Sequence, residues 1–166
     1  RNIKQGVVDM EYLFSLLDKE KEITDTPNAA QLRVNGGTVD FDCVNFHYEH
    51  RRQILKDVSF RIDAGRTLAV VGHAGAGKST LSRILYRFYD ISAGAVSIDG
   101  QNIRDVTQES LRAAIGIVPQ DTVLFNDSIA YNIGYGNTDA SQAEIQTAAK
   151  RAQIHDFILS LPDGYD

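Results

Sequence analysis

The chain has 166 residues, 43% of them hydrophobic and 23% charged, which excludes disordered and fibrous classes and indicates one domain with a hydrophobic core. Its 22 acidic residues outnumber its 17 basic ones, for a net charge of −5. Domains that bind nucleic acid usually carry a basic excess, so we expect no nucleic-acid partner. An acidic protein can still hold phosphate groups, because backbone amides and a single lysine are enough.

The cysteine content and the hydropathy narrow the class further. Cys43 is the only cysteine and lies inside a predicted strand, so an internal disulfide is excluded and we expect a buried structural thiol. No run reaches the roughly 18 apolar residues that span a bilayer, and the N-terminus lacks a signal-peptide pattern. Because the chain starts at Arg1 rather than Met, we expect it to be part of a longer polypeptide.

The first predicted elements are a helix and a linker. Residues 6–19 carry apolar side chains at helical spacing and charged ones elsewhere, which predicts an amphipathic helix. The segment 19–37 is polar and charged, contains Pro27 and ends in two glycines, a composition that is typical of a linker.

Three strands are predicted next, over residues 38–48, 57–62 and 67–71. A turn at residues 63–66 separates the second strand from the third. The third strand contains the apolar run Leu68–Val71, which is typical of a central strand buried on both faces of a parallel sheet.

Helices and strands alternate after this third strand, which indicates an α/β fold. Asp99-Gly100 is interpreted as the turn that closes a short strand. The predicted elements are, in order, a helix at Ser79–Phe88, a strand at Ala95–Ile98, a helix at Thr107–Ala114 and a strand at Ile115–Val118.

The pattern becomes mostly helical from Gln120 onward. Helices are predicted at Ser128–Ile133 and Ser141–Leu161. Ser141 and Glu144 have the spacing of a capping box, which predicts a helix that begins just after Ser141.

The segment Gly72-His73-Ala74-Gly75-Ala76-Gly77-Lys78-Ser79 has the G-x-x-x-x-G-K-[ST] spacing of a P-loop. A chance match occurs in roughly half a percent of chains of this length. The segment also follows an apolar strand and opens a helix, as the motif requires. The sequence therefore predicts a site for the phosphates of a nucleoside triphosphate with Mg²⁺.

The residue types of this loop fit that chemistry. Gly72, Gly75 and Gly77 let the backbone curl until successive N–H groups form a nest for anionic oxygens. The positive end of the helix behind the loop adds to this attraction. Lys78 is expected to contact the β- and γ-phosphates, and the Ser79 hydroxyl to bind Mg²⁺.

Two neighbouring residues have open roles. Thr80 either donates to the α-phosphate or is only a helix residue. His73, like Ala74 and Ala76, lies in the variable part of the loop, and it either touches phosphate or faces solvent. We favour solvent for His73, because nothing in the chemistry requires an imidazole there.

Two further strings narrow the kind of P-loop protein. Val44-Asn45-Phe46-His47-Tyr48 places aromatic residues upstream of the P-loop, and the string from Gly116 to Phe125 places Gln120 where the α/β pattern becomes helical. Together with the P-loop, these strings resemble the nucleotide-binding domain of ABC transporters over nearly the whole chain.

The resemblance implies roles for both strings. Tyr48 matches the family's aromatic residue that stacks on adenine; the alternative is a ring that only packs at a strand end. Gln120 matches the Q-loop glutamine, whose amide coordinates Mg²⁺ and orients the attacking water; the alternative is a surface loop residue. Val123, Leu124 and Phe125 resemble a surface that meets a helix of the transmembrane partner, or else they form subdomain core.

Three further sequence strings are similar to those of one exporter branch, which contains heavy-metal-tolerance proteins and mitochondrial iron–sulfur exporters. The strings are Arg51-Arg52-Gln53-Ile54-Leu55, Tyr86-Arg87-Phe88-Tyr89-Asp90 and the run from Val118 to Asp127. The resemblance implies a transmembrane domain on the same chain, a second nucleotide-binding domain in a homodimer, and ATP as ligand. It places the domain on the cytoplasmic or matrix side of an inner or plasma membrane, and it implies thiol- or glutathione-related cargo.

The resemblance also implies a fold and a division of the chain. The fold is α/β, a P-loop NTPase core of the ABC ATPase type with an antiparallel β subdomain and the start of a helical subdomain. Residues 1–37 are expected to be a helix and linker from an upstream membrane domain, 38–119 an incomplete P-loop core, and 120–166 the Q-loop and the beginning of the helical subdomain.

The second half of such an ATPase site does not occur in the sequence. There is no signature loop similar to Leu-Ser-Gly-Gly-Gln and no apolar strand that ends in an Asp-Glu pair. Asp99 lies too soon after the P-loop helix to be the magnesium aspartate, and His155 is interpreted as a helix residue. We therefore expect the chain to stop before the signature loop, to bind Mg-ATP weakly and to hydrolyse it negligibly by itself.

Two alternatives to a transport ATPase are compatible with a P-loop. One is an isolated nucleotide-binding fragment without catalysis of its own. The other is a nucleotide kinase, which would need an arginine-rich lid; after residue 120 only Lys150 and Arg151 are basic, so this alternative is disfavoured.

Overall fold

A computed structural model describes residues 10, 13–14, 23–49, 52–120 and 123–166. The predicted helix over residues 6–19 lies largely outside these residues. The chain divides into two compact units, the first ending at Ile117 and the second beginning at Val118. In the described part of the chain, no helix has both the length and the apolar character needed to cross a membrane.

An antiparallel sheet of four strands organises the first unit. Its order is β2-β1-β3-β4, and neighbouring strands pair antiparallel. The antiparallel β subdomain predicted from the sequence is thereby confirmed. The strands are β1 (Val39–Glu49), β2 (Arg52–Ile62), β3 (Ala93–Ile98) and β4 (Gln101–Asn102).

A bulge in β1 turns Cys43 outward. The alternation of buried and exposed residues breaks between Phe41 and Val44, which are both buried, and the pairing register with β2 shifts there. Cys43 has a left-handed φ of 47° and is exposed. The prediction of a buried thiol is therefore wrong, because the extra residue of a bulge does not follow the two-residue period of a strand.

Gly94 explains why the bulge fits against β3. Its φ is +89°, and a Cβ at this position would collide with the carbonyl oxygens of Asp42 and Cys43. Only glycine satisfies both the left-handed backbone and this close approach.

Two apolar segments that were predicted to be buried parallel strands are not strands. Leu68–Val71 and Ile115–Val118 pair with no strand among the residues that the structure describes. Val71 is 89% exposed and Val118 97% exposed. The apolar run identified segments suited to a buried strand, but a parallel strand also needs neighbours brought beside it by other parts of a chain.

Over the described residues from 52 to 117, the first unit contains two helices, α1 (Lys78–Leu85) and α2 (Gln108–Ala113). Helix α1 ends before the predicted Phe88 because Arg87 has a left-handed φ of 54°. Helix α2 is capped by Thr107, whose side chain accepts a hydrogen bond from the Ser110 N–H, as the preference for Thr at this position predicts.

The core of this unit lies between the sheet and the two helices. Ile84 of α1 and Leu111 of α2 are fully buried, together with Val44 and Val96 from the sheet. Burial of one such aliphatic side chain contributes about 1.5–3 kcal/mol. The helix that follows the P-loop is thus fixed to the sheet through its own core residue.

The segment predicted to be a linker is bound to the core along its described part. Arg87, 2% exposed, donates to the Thr24 carbonyl oxygen at 3.2 Å and lies 3.5 Å from the Asp25 carboxylate. Ala30 and Thr107 pair through a hydrogen bond from the Thr107 N–H to the Ala30 carbonyl at 2.8 Å. From residue 23 onward the segment therefore packs as part of the first unit.

Asp99 anchors the end of the same segment. Its carboxylate accepts hydrogen bonds from the backbone N–H groups of residues 35, 36, 37 and 38, at 2.8–3.0 Å. These bonds, led by that of Gly36, hold the pKa of Asp99 far below its usual range. Asp99 also occupies the predicted turn with Gly100, at a φ of 49°.

The second unit is helical, with α3 (Ile129–Gly134), α4 (Gln142–Arg151) and α5 (His155–Leu159). The capping box of Ser141 and Glu144 is confirmed. The single helix predicted at Ser141–Leu161 is wrong, because Gln153 adopts a φ of 60° and divides it into α4 and α5. The unit has its own small core of Ala149, Ile158 and Tyr165.

Candidate functional site

The P-loop backbone is shaped by glycines and by its contact with β2. Gly75 and Gly77 have φ values of +79° and +88°, a region that L side chains rarely adopt. A Cβ on Gly77 would lie 2.9 Å from Leu55 Cδ2 and 3.3 Å from Ile54 Cγ2. The loop therefore lies so close to β2 that a side chain at position 77 would have to displace Leu55 or Ile54.

Lys78 folds back over the loop that precedes it. Its ammonium donates to the carbonyl oxygens of Gly72 and His73, both at 2.8 Å. The side chain is half-buried. The Lys78 ammonium, which the sequence predicts to bind phosphate, thus lies beside the loop. Its partners there are carbonyl oxygens, which accept the same N–H groups that phosphate oxygens would accept.

The start of α1 supplies donors and a partial positive charge. The first N–H groups of an α-helix have no partner within the helix, and the macrodipole makes this end positive. The first turn of α1, described throughout, carries no acidic side chain that would offset this charge. Ser79 lies in this turn and is exposed.

Mg²⁺ is the metal that the motif implies. The described part of the chain holds no group of three or more His, Cys, Asp or Glu able to bind a metal by itself. Mg²⁺ usually binds through one or two protein oxygens together with substrate phosphates and water. An exposed hydroxyl at Ser79, directly after Lys78 of the P-loop, fits this mode of binding.

Tyr48 lies next to the P-loop helix. Its hydroxyl is 3.2 Å from the Thr80 hydroxyl and 3.4 Å from Arg83 Nη1. Its ring contacts Phe46 and Tyr89 and is 42% exposed. The structure therefore brings two of the predicted site residues, Tyr48 and Thr80, into contact just after the P-loop.

The remaining predicted loop residues are placed as follows. Thr80 is 4% exposed, and its hydroxyl bonds to Tyr48 rather than pointing into solvent. His73, Ala74 and Ala76 are exposed. In the second unit, Gln120 is exposed close to the first residue of that unit.

An exposed aromatic surface follows Gln120 in the second unit. Val123 is 89% and Leu124 71% exposed. The Phe125 ring lies 4.3 Å from Tyr135 and 5.8 Å from Tyr131, measured between centroids. A largely apolar cavity of about 270 Å³, lined by Tyr131 and Tyr135, lies beside α3.

Sequence reasoning missed the contacts made by three charged residues. Arg83 follows Thr80 by three residues and so shares its helix face, a signal that was present in the spacing. Arg87 and Asp99 act through backbone carbonyl and N–H groups of the segment before β1. No local pattern in the sequence indicates such long-range partners.

Comparison with known proteins places the site in a family context. The ABC transporter family model matches residues 55–163. The chain is 56% identical over 166 residues to an ATM1-type heavy metal exporter of Novosphingobium aromaticivorans, covering all of this chain and 27% of that protein. It is 55% identical over 166 residues to ATP-binding cassette sub-family B member 6 of Rattus norvegicus, covering 100% of this chain and 20% of that protein.

Two further comparisons agree. The heavy metal tolerance protein of Schizosaccharomyces pombe is 46% identical, over 100% of this chain and 20% of that protein. A solved structure of a bacterial Atm1-family ABC exporter with ATP bound matches with a TM-score of 0.91 and 56% identity, covering 99% of this chain and 29% of that one. The chain thus spans between a fifth and somewhat over a quarter of the length of these relatives.

Proposed function

We propose, starting from the fact that this chain belongs to the ABC transporter family, that it is the ATP-binding part of an exporter in which ATP binding and hydrolysis drive transport. One observation carries the proposal: the P-loop has the glycine geometry of a phosphate nest, and Lys78 lies across it. The fold adds support, because the chain resembles an ATP-bound exporter structure at a TM-score of 0.91.

The phosphates bind at the loop and the start of α1. Backbone N–H groups of the loop and the first helical turn donate to phosphate oxygens. Lys78 leaves the carbonyl oxygens of Gly72 and His73 and neutralises charge on the β- and γ-phosphates. Ser79 would hold Mg²⁺ through its hydroxyl, and the bound ion would neutralise charge on the phosphoryl oxygens.

The base stacks on Tyr48. The exposed fraction of the ring and its contact with Thr80 support this assignment, because they place an accessible aromatic surface next to the phosphate loop. A stacked base gains about 1–3 kcal/mol from one aromatic side chain. The Thr80 N–H is bonded to the Gly77 carbonyl and its hydroxyl to Tyr48, so we assign Thr80 to the support of Tyr48 rather than to the α-phosphate.

Gln120 is proposed to orient the attacking water and to contact Mg²⁺. A neutral amide offers an oxygen and two N–H groups without adding negative charge beside the γ-phosphate. Its exposure leaves the amide available for such contacts. This role belongs to the intact protein, where two nucleotide-binding domains enclose each ATP.

The proposal includes the rest of the transporter. Residues 1–37 then connect to a transmembrane domain, 38–119 form the nucleotide-binding core and 120–166 begin the helical subdomain. The exposed Val123 and Leu124 support a surface that meets the membrane domain. The proposal extends to thiol- or glutathione-related cargo, which is supported by one relative's name as a heavy metal exporter, because thiolates are ligands of soft metal ions. It also includes a homodimer whose nucleotide domains face the cytoplasm or the mitochondrial matrix.

A titration of the purified protein with ATP, with and without Mg²⁺, tests the proposal. We expect saturable binding that is stronger with Mg²⁺ and is lost in Lys78→Ala. Lys56→Ala is the matched control, since it removes an exposed lysine of β2 that lies outside the loop. Equal binding by both variants would contradict the assignment of the site.

A second measurement distinguishes the exporter ATPase from the alternative, a nucleotide-binding module without catalysis. Single-turnover hydrolysis by this chain alone, abolished in Lys78→Ala, would show that the expected dependence on a second domain is wrong. Both hypotheses, the exporter ATPase and the non-catalytic module, predict that this chain alone binds ATP without hydrolysing it. A larger protein that contains it and hydrolyses ATP during transport then favours the exporter.

A further inference from the structure

The last turn of α1 places a cation beside the ring near the end of β1. Arg83 Nη1 donates to the Tyr48 hydroxyl oxygen at 3.4 Å, and the Thr80 hydroxyl lies 3.2 Å from the same oxygen. Thr80 and Arg83 are three residues apart on one helix, so their side chains reach the same side. The Tyr48 hydroxyl is therefore held by two side chains of the helix that the P-loop opens.

The Tyr48 ring is held by its neighbours and is still accessible. Phe46 and Tyr89 contact it nearly perpendicularly, at centroid distances of 4.8 Å and 5.0 Å. Phe46 is 2% exposed and belongs to the core, so the ring rests on a rigid base. Its own exposed fraction of 42% leaves surface for a planar ligand.

We propose that Arg83 is a positioning residue for base recognition: together with Thr80 it holds the Tyr48 ring in the orientation that stacks on the base of a bound nucleotide. This inference rests on the proposed function, because it requires a nucleotide at the P-loop. Its physical basis is preorganisation. A ring that must be immobilised on binding weakens affinity by about two- to tenfold.

Helix α1 links the contact with Tyr48 to the phosphate site. Thr80 directly follows the two residues assigned to phosphate and Mg²⁺, and Ile84 fixes the same helix in the core. The element that positions the phosphate donors therefore also positions the stacking ring. The spacing between the base and phosphate sites is therefore set by α1, which contacts Tyr48 through Thr80 and Arg83.

Arg83 is suited to this task because its charge strengthens the bond. A hydrogen bond with one ionised partner is about twice as strong as a neutral pair. Arg83 itself is exposed, whereas Ile84 carries the packing of α1. Removal of its charge is therefore expected to change base recognition with little effect on the fold.

Calorimetric titrations with Mg-ATP and with Mg-tripolyphosphate test the inference. Tripolyphosphate has the phosphates but no base. Arg83→Gln and Tyr48→Phe are each expected to weaken ATP binding about two- to tenfold and to leave tripolyphosphate binding unchanged. The double variant is expected to be no weaker than Tyr48→Phe, because both changes remove one shared contact.

Arg151→Gln is the matched control. Arg151 is also exposed and lies in the last turn of a helix, α4, so its replacement causes the same change of charge. It is expected to bind both ligands as the unaltered protein does. The thermal unfolding midpoint of Arg83→Gln is expected to equal that of the control.

Four results would overturn the inference. Unchanged ATP affinity in Arg83→Gln would remove the role, and equal loss for both ligands would assign Arg83 to the phosphates instead. The same loss in Arg151→Gln would reduce the effect to net charge. Equal affinities of the unaltered protein for tripolyphosphate and for ATP would show that the base adds nothing to binding. This result would also refute the inference, but it would leave the P-loop function intact. If the unaltered protein binds neither ligand, the proposed function itself fails.

Discussion

Replacement of Gly77 by alanine should be markedly more damaging than the same replacement at Gly75. Both glycines have a left-handed φ, +88° and +79°, so alanine is strained at either position by about 1–2 kcal/mol. Only at Gly77 does the added Cβ meet a neighbour, 2.9 Å from Leu55 Cδ2. Around Gly75 there is nothing within 4 Å.

The difference between the two variants isolates the contact with β2. Leu55 is 4% exposed, so it can yield only by changing its rotamer within a packed core. Such overpacking costs about 1–3 kcal/mol. Gly77→Ala should therefore lower the free energy of unfolding by about 1–3 kcal/mol more than Gly75→Ala, since the backbone strain is shared and cancels.

Urea unfolding of both variants, followed by far-ultraviolet circular dichroism, measures this difference. A tripolyphosphate titration on the same samples shows whether the loop has shifted, and we expect a larger loss of binding in Gly77→Ala. Equal unfolding free energies for the two variants would refute the reasoning. They would mean that the loop is not seated against Ile54 and Leu55.

Three further predictions follow from the same structure. Tyr48→Ala should raise the ATP dissociation constant by the factor that corresponds to about 1–3 kcal/mol, and an unchanged constant in a calorimetric titration would remove Tyr48 from the site. Gln120→Ala, placed in a full-length exporter, should bind ATP normally but uncouple hydrolysis from transport; normal transport in vesicles would contradict the role of Gln120. Asp99→Asn should destabilise the protein at neutral pH, because the folded state lowers the pKa of this carboxyl through four backbone N–H groups, led by that of Gly36. The stabilisation is present above the ordinary aspartate pKa of 3.8 and is lost as the pH falls below it toward the folded value, so the thermal midpoints of the two proteins should converge in acid; a constant gap would refute the carboxylate's role.

Local patterns predicted the parts of the site whose geometry is local. The P-loop spacing predicted a helix that begins at Ser79, and α1 begins one residue earlier, at Lys78. The capping box at Ser141 needs only residues three apart, and it forms as predicted. In each case the partner lies within one helical turn, so the sequence carries the information.

The wrong predictions concern partners that are distant in the chain. Leu68–Val71 is apolar, as a buried strand would be. Whether it forms a strand depends on neighbouring strands from other parts of a chain, and the apolar residues alone carry no information about those neighbours. Cys43 is exposed because Gly94, in another strand, admits a bulge opposite it. The linker prediction for residues 19–37 stays a prediction; its polar composition could not show that the backbone N–H groups of residues 35–37 donate to the Asp99 carboxylate.

The central claim is that backbone N–H groups of the P-loop hold the phosphates of a nucleotide. Backbone amide chemical shifts of isotope-labelled protein, recorded as Mg-ATP is added, test it most directly. The account predicts the largest shifts at residues 75–80, accompanied by smaller changes around Tyr48, and their absence in Lys78→Ala. Saturable ATP binding with its largest shifts elsewhere, and with residues 75–80 unchanged, would contradict it.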